Sequence, residues 1–153
     1  MEVIGYLQYV PDTDFRCLTG GPAGGGLSRR VCTLSATDSP AVYEVSFLMD
    51  RGAVLAVVAT ASDASEDEAA EVLGYVARLS LEEVASIDAE SWVGRTISSG
   101  GQYFAEVAEV RLYGTEGSRT LEIVASAPPA ISSPETTDER SVTTEETIQR
   151  TGR

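Results

Sequence analysis

Between residues 43 and 61 the sequence follows the pattern of two neighbouring strands in a sheet. Apolar side chains recur at every second position of the first segment, at Tyr43, Val45, Phe47 and Met49. This period of two predicts a strand with one apolar face. Residues 50–52 predict a turn, and the nearly continuous apolar run 54–61 predicts a central return strand. An apolar sheet face must be covered by another layer.

The next segment carries the start signal of a helix. Ser65 is followed three residues later by Glu68, which is the spacing of a capping box, and the intervening acids suit the positive end of the helix dipole. Apolar residues then recur at helical spacing, which predicts a helix from Glu66 to Leu79. Ser80 repeats the capping pattern before a short helix. Asp88 is predicted to cap a further short helix that carries Trp92.

The sequence predicts a second pair of strands after the helices. Alternate apolar residues in 108–112 and 121–125 predict two strands joined by a turn at 114–118. Trp92 is predicted to pack between the helices and the sheet rather than to line a groove with Tyr103. We therefore predict an α+β fold, in which an antiparallel sheet built from two hairpins has helices packed on one face.

The composition divides the chain into two parts. Residues 1–127 are predicted to form a single α+β domain, whose first strand would be Val3–Val10. Residues 12–40, which include the glycine run and both cysteines, are predicted to form a loop between short extended pieces. Residues 128–153 are rich in Ser, Thr and Glu and contain few large apolar residues, so we predict a disordered acidic tail. The first residues have neither a basic region nor a long apolar stretch, and we expect no signal peptide.

The charge of the chain restricts its chemistry and its partners. There are 24 acidic residues against 11 basic ones, for a net charge of −13, and the chain contains no lysine and no histidine. Most general-base, metal and Schiff-base chemistry needs one of those two residue types. The negative charge argues against nucleic-acid binding. The longest apolar run, Ala53–Ala59, is far below the ~20 residues of a membrane helix, so we expect no direct membrane insertion.

Two further patterns are weak candidates for ligand binding. The glycine run 20–26, followed by Arg29 and Arg30, could cradle a phosphate, but it lacks the residues of a phosphate-binding loop and is interpreted as a loop tip. Asp12 and Asp14 could contact a divalent cation, but they lack an EF-hand spacing and are interpreted as a solvated turn. We predict no catalytic residue, no cofactor and no metal site.

Cys17 and Cys32 are the most informative pair for chemistry. Two cysteines without histidine cannot complete a tetrahedral zinc site within one chain, and their spacing is not that of redox enzymes. A disulfide or two unpaired thiols remain, and we favour the disulfide. Closing a loop of this length would stabilise the fold by about 3 kcal/mol in the chain-entropy model. A disulfide implies an oxidising compartment, which conflicts with the missing signal peptide.

Several short patterns resemble those of uncharacterised extracytoplasmic α+β domains of actinobacterial membrane proteins and lipoproteins. The matching residues are Cys17, Cys32, Val57–Ala59, Ala89, Trp92-Val93, Leu121 and Ile123. The resemblance covers about residues 15–126 and implies a location and a fold class, without an activity. Such domains follow a membrane segment or lipobox, and this N-terminus has neither.

Three functional hypotheses remain. The first is a non-enzymatic binding or sensor domain outside the cytoplasm, with an unknown small ligand or protein partner. The alternative is a cytoplasmic acidic chaperone or adaptor that binds a basic or extended partner. The third is an enzyme that uses only carboxylates, arginine or hydroxyls, for which no local pattern argues.

Overall fold

The computed structural model describes residues 15–18, 20–81, 88–105 and 108–126. These residues form eight strands and two helices, which confirms the α+β class. The strands are β1 (Arg16–Cys17), β2 (Gly21–Gly24), β3 (Leu27–Ser35), β4 (Val42–Asp50), β5 (Ala53–Ser62), β6 (Gly101–Phe104), β7 (Ala108–Thr115) and β8 (Ser118–Ala125). The helices are α1 (Glu66–Leu81) and α2 (Ala89–Thr96). The predicted strand Val3–Val10 and the predicted tail 128–153 lie outside the described residues.

All strands belong to one antiparallel sheet with the order β1-β3-β4-β5-β8-β7-β6. Strand β2 also pairs with β3, so that β1 and β2 follow each other along the same edge of β3. The sheet is therefore larger than the two pairs of strands predicted from the alternation. Because β5 and β8 are neighbours, the end of β5 lies beside the start of β8, where Ser62 pairs with Ser118.

The interpretation of residues 12–40 as a loop between short extended pieces is wrong for much of this segment. β3 is nine residues long and pairs with β4 from Ser28 to Ser35. The glycine run supplies β2 and the turn that leads into β3. Gly24, Gly25 and Gly26 have φ angles of 91°, 60° and 80°, a backbone conformation that glycine adopts without steric cost.

The turn between β4 and β5 also depends on positive φ angles. Arg51 and Gly52 have φ angles of 50° and 89°, the pattern of a type I′ turn, which matches the twist of the strands that it joins. Strands β7 and β8 are longer than predicted, so only Glu116 and Gly117 remain in their turn. This tight turn extends the pairing of β8 toward the start of α1.

The core lies on one face of the sheet, here called the core face. Residues directly opposite each other in register share a face, and one such row is buried across five strands. It consists of Cys32, Val45, Ala59, Leu121 and Leu112. Helix α1 packs against β5 and β8 and contributes Val72, Leu73 and Val76 to the core. Burying each such side chain contributes about 1.5–3 kcal/mol.

Helix α1 begins as the sequence predicts. The Glu68 amide donates to Ser65 Oγ at 3.2 Å, and the Ser65 amide donates to Glu68 Oε2 at 2.9 Å, which completes the capping box. The helix runs on to Leu81, so the prediction that Ser80 starts another helix is wrong. Ser80 is buried inside α1, and its hydroxyl donates to the carbonyl oxygen of Val76 at 2.8 Å.

Helix α2 begins at the predicted cap and packs against α1. Asp88 accepts a hydrogen bond from the amide of Ser91 at 3.1 Å. Trp92 is partly buried against the core, and its ring centroid is 6.4 Å from that of Tyr103 on β6. The indole therefore lies between α2 and the sheet.

Candidate functional site

A cleft of about 710 Å³ lies where α1 begins beside the turn between β7 and β8. Residues 63–67, which join β5 to α1, form one wall. Glu116, Gly117 and Arg119 form the other. The volume is within the range of about 300–1,000 Å³ that small-molecule sites occupy.

The two walls are joined through the backbone. The amide of Asp63 donates to the carbonyl oxygen of Gly117 at 2.7 Å. Asp63 has a φ of 54°, a left-handed conformation that few non-glycine residues adopt and that aspartate tolerates better than most. This bend turns the chain from β5 into α1 and places the Asp63 side chain on the wall of the cleft.

Arg119 is a buried charge on the wall of the cleft. Only 7% of this residue is exposed. Its Nε donates to the carbonyl oxygen of Ile97 at 2.8 Å, and its Nη2 lies 3.4 Å from Oε2 of Glu66. Nη1 has no hydrogen-bond partner among the described residues. The guanidinium is thus incompletely paired at a position where an unpaired charge is costly.

The sequence interpretation missed Arg119, although the alternation of β8 carries the signal. Leu121 and Ile123 occupy the core face, and Arg119 has the same parity. An arginine in phase with buried aliphatic residues requires buried partners. Those partners come from α1 and from the end of α2, which are distant in sequence, so the alternation alone cannot identify them.

Three further acidic residues line the cleft. Asp63, Asp67 and Glu116 are exposed, and none of them forms an ion pair with another described residue. Glu66 is half-exposed and is the partner of Arg119. The cleft therefore combines a negative rim with one buried positive charge.

Hydrogen bonds and burial shift two pKa values beside α1. The hydroxyl of Ser39, together with the amide and hydroxyl of Ser65, holds the pKa of Glu68 below its ordinary value. Burial raises the pKa of Tyr43, and the carboxylates of Glu68 and Glu71 raise it further. Hydrogen bonds thus keep Glu68 ionised at the start of α1, where its charge adds to the effect of burial on Tyr43.

The predicted cysteine pair lies away from this cleft. Cys17 and Cys32 are directly opposite in the pairing of β1 with β3, and their Sγ atoms are at disulfide-bonding distance. Cys32 is fully buried, whereas Cys17 is partly exposed. In the sheet order, β3 is separated from β8 by β4 and β5. Neither cysteine lines the cleft.

The structure does not bring the other weak candidates together. Arg29 and Arg30 are consecutive residues of β3, so their side chains leave opposite faces of the sheet and cannot grip one phosphate with the glycine run. Asp12 and Asp14 lie outside the described residues. No group of three or more Cys, Asp or Glu in the described part of the chain is arranged to hold a metal ion.

A second polar cluster lies on the face of the sheet opposite the core face. Oε1 of Glu109 accepts from Gln102 Nε2 at 2.7 Å and from Arg111 Nε at 2.8 Å, while the Tyr113 hydroxyl donates to Glu122. These groups are exposed and satisfy one another. They therefore demand no ligand in the way that the buried Arg119 does.

The polar side chains of the cleft are of three kinds: carboxylates, one guanidinium and one hydroxyl. The hydroxyl belongs to Ser65 and caps α1 by accepting from the Glu68 amide. The remaining polar side chains are carboxylates and one guanidinium.

Among the described residues, no helix combines the length and apolarity needed to cross a bilayer. Comparison with protein-family models, curated proteins and solved structures finds no match to the chain.

Proposed function

We propose that this chain is a non-enzymatic binding or sensor domain and that the cleft at the start of α1 receives a small ligand with a cationic group. The observation that carries the proposal is that Asp63, Asp67 and Glu116 all line one cleft and have no basic partners among the described residues. An ammonium or guanidinium group can pair with several of these carboxylates at once.

The exposure of the rim sets the expected affinity. Each exposed ion pair contributes about 0.2–1 kcal/mol, and salt screens it. Three such pairs sum to at most about 3 kcal/mol, which corresponds to a dissociation constant of roughly several millimolar or weaker for a small cation. A binding or sensor role for a ligand present at such concentrations is consistent with this range.

The proposed location is outside the cytoplasm. Cys17 and Cys32 lie at bonding distance between β1 and β3, and structural disulfides persist in oxidising compartments. In this proposal the helices cover one face of the sheet, supported by the packing of α1 on β5 and β8. The opposite face and the cleft are then available from solvent.

Calorimetric titration with agmatine tests the binding proposal, because agmatine carries a guanidinium and an amine and no carboxylate. We expect binding that weakens as salt rises, since the rim charges are exposed. Glu116→Gln should weaken it about threefold, the effect of losing one exposed pair. Glu44→Gln makes the same change at an exposed residue of β4, outside the cleft, and is the matched control.

Equal effects of Glu116→Gln and Glu44→Gln would place binding outside the cleft. Absence of agmatine binding at low salt would refute a cation site. Either result would overturn the proposal, whatever the state of the cysteines.

The adaptor alternative is favoured by a different observation. β6 pairs only with β7 among the described strands, and Phe104 on it is 70% exposed. An extended basic segment could add to this edge as a further strand, with the net charge of −13 attracting it. Two reduced thiols in native protein, together with basic-peptide binding that Phe104→Ser abolishes and Glu116→Gln leaves unchanged, would favour this function.

A further inference from the structure

We infer that the disulfide between Cys17 and Cys32 is a redox-sensitive clamp, which holds residues 15–18 on β3 and which a dithiol opens without unfolding the sheet. This inference goes beyond the proposed binding function and does not depend on the cleft. The partner that it implies is a dithiol reductant, which would act on the sulfur of Cys17.

The clamp lies on an edge strand that has little else to hold it. Strand β1 is two residues long and pairs with β3 alone among the described strands, with Cys17 opposite Cys32. In the adjacent pair of the same register, the amide of Leu18 donates to the carbonyl oxygen of Val31 at 2.9 Å. Hydrogen-bonded and non-hydrogen-bonded pairs alternate in an antiparallel ladder. The disulfide therefore links β1 to β3 at a pair that the backbone does not join.

The noncovalent hold on this segment is weak. Phe15 is its anchor in the core, with 6% of the residue exposed. Burial of one aromatic side chain and a few backbone hydrogen bonds favour attachment. The conformational entropy lost on ordering residues 15–18 opposes attachment and is of similar size. The disulfide thus decides whether the segment stays on the sheet, because local opening needs little free energy once the bond is broken.

The rest of the sheet has its own support. On the side away from β1, β3 pairs with β4 from Ser28 to Ser35. A reduced Cys32 would remain in the core as a small apolar residue. Opening of the clamp would therefore free residues 15–18 from the sheet and leave residues 31–33 of β3 as an open strand edge.

The two cysteines differ in their access to a reductant. Cys17 is partly exposed, whereas Cys32 is fully buried. A thiolate of the dithiol attacks Sγ of Cys17, the disulfide bond breaks, and Sγ of Cys32 leaves with the electron pair and takes up a proton. The second thiolate of the reductant then displaces Cys17, which also takes up a proton. The dithiol supplies both electrons and both protons, and it is itself oxidised to a disulfide.

Amide hydrogen exchange of the unaltered protein, before and after reduction by dithiothreitol, tests the inference. Intact mass follows the reduction as a gain of about 2 Da. In the oxidised protein, the amides of Leu18 and of Val45 in the central strand β4 should both be protected. After reduction, Leu18 should exchange within about tenfold of the rate of an unstructured chain, while Val45 stays strongly protected.

The other outcomes would each overturn the inference. Persistent protection of Leu18 after reduction would show that β1 stays attached without the disulfide. Loss of protection at Val45 as well would show that the bond supports the whole domain. If dithiothreitol cannot reduce the native protein without a denaturant, the bond is a permanent staple and no clamp.

A double substitution opens the clamp without a reductant. In Cys17→Ser with Cys32→Ala, Leu18 should be unprotected, and dithiothreitol should change nothing further. Trypsin should cleave this variant after Arg16 at least about tenfold faster than the unaltered protein, since cleavage needs local opening. Cleavage after Arg29, the matched site on β3, should stay slow. An unchanged rate at Arg16 would contradict the inference, and if the variant does not fold, hydrogen exchange of the unaltered protein decides.

Discussion

The side chain of Arg119 donates from Nε to the carbonyl oxygen of Ile97 at 2.8 Å, and this bond joins strand β8 to the end of α2. Through Nη2, the same guanidinium reaches Glu66 in the first turn of α1. A positive charge at the end of one helix and a negative charge at the start of another both complement the helix dipoles. Arg119 therefore holds both helix ends against the sheet while it lines the cleft.

Replacing Arg119 with methionine should destabilise the domain. The carbonyl oxygen of Ile97 would lose its donor, and Glu66 would lose its partner, at a cost of about 2 kcal/mol. The free energy of unfolding in urea measures the effect. Arg111→Met is the matched control, because Arg111 pairs with Glu109 on the exposed face and should change stability by less than about 0.5 kcal/mol. Equal losses in the two variants would show that Arg119 has no special structural role.

The capping box should make the free energy of unfolding depend on pH in the acid range. Folding lowers the pKa of Glu68, so its contribution is complete above the ordinary value of 4.5 and is lost as the pH falls through the lowered value. Glu68→Gln should therefore lose less stability than the unaltered protein on acidification below pH 4.5. Ser65→Ala removes the hydroxyl contact to the Glu68 carboxylate but keeps the Ser65 amide that donates to it, so it should flatten the same profile only in part. Parallel pH profiles for all three proteins would contradict this assignment.

Trp92 should report the packing of α2 on β6. It is the single tryptophan of the chain, and its ring is partly buried beside Tyr103. Its emission should be blue-shifted relative to the unfolded chain, and neutral acrylamide should quench it less in the folded protein. Iodide is a poorer probe, because a net charge of −13 repels it. Quenching by acrylamide equal to that of the unfolded chain would instead place Trp92 in an open groove.

The thiol state tests the main support for the proposed extracytoplasmic location. We expect Cys17 and Cys32 to be oxidised in native protein, because they face each other across β1 and β3 at bonding distance. Intact mass under denaturing conditions should be about 2 Da below that of the reduced chain, the mass of the two hydrogens lost on bonding. Alkylation of both cysteines in unreduced protein would remove the main support for an extracytoplasmic location.

The parts of the fold that the sequence predicts are those with local signals. Apolar alternation predicts β4, and the spacing of Ser65 and Glu68 predicts the start of α1, because each depends on residues that are close in sequence. β3 was missed because its neighbouring glycines resemble a loop until their pairing with β3 is known. Ser80 resembles a cap, but α1 continues to Leu81, and the Ser80 hydroxyl donates to the carbonyl oxygen of Val76 inside the helix.

The candidate cleft could not be predicted in the same way. It depends on the pairing of β5 with β8, which brings Asp63 beside Gly117 after more than fifty intervening residues. Neither the length of the helical connection nor the alternation of either strand specifies that pairing. The sequence does carry the phase of Arg119 with Leu121, and that phase is a local indication of a buried charge.

Chemical-shift mapping of the unaltered protein with agmatine tests the central claim most directly. The account predicts saturable shifts of the amide signals of Asp63, Glu66 and Gly117, since these residues line the cleft. The signals of Gln102 and Phe104, which lie on the edge strand β6 and outside the cleft, should stay in place. Shifts confined to β6, or no saturable shift at low salt, would contradict the assignment of the cleft as the binding site.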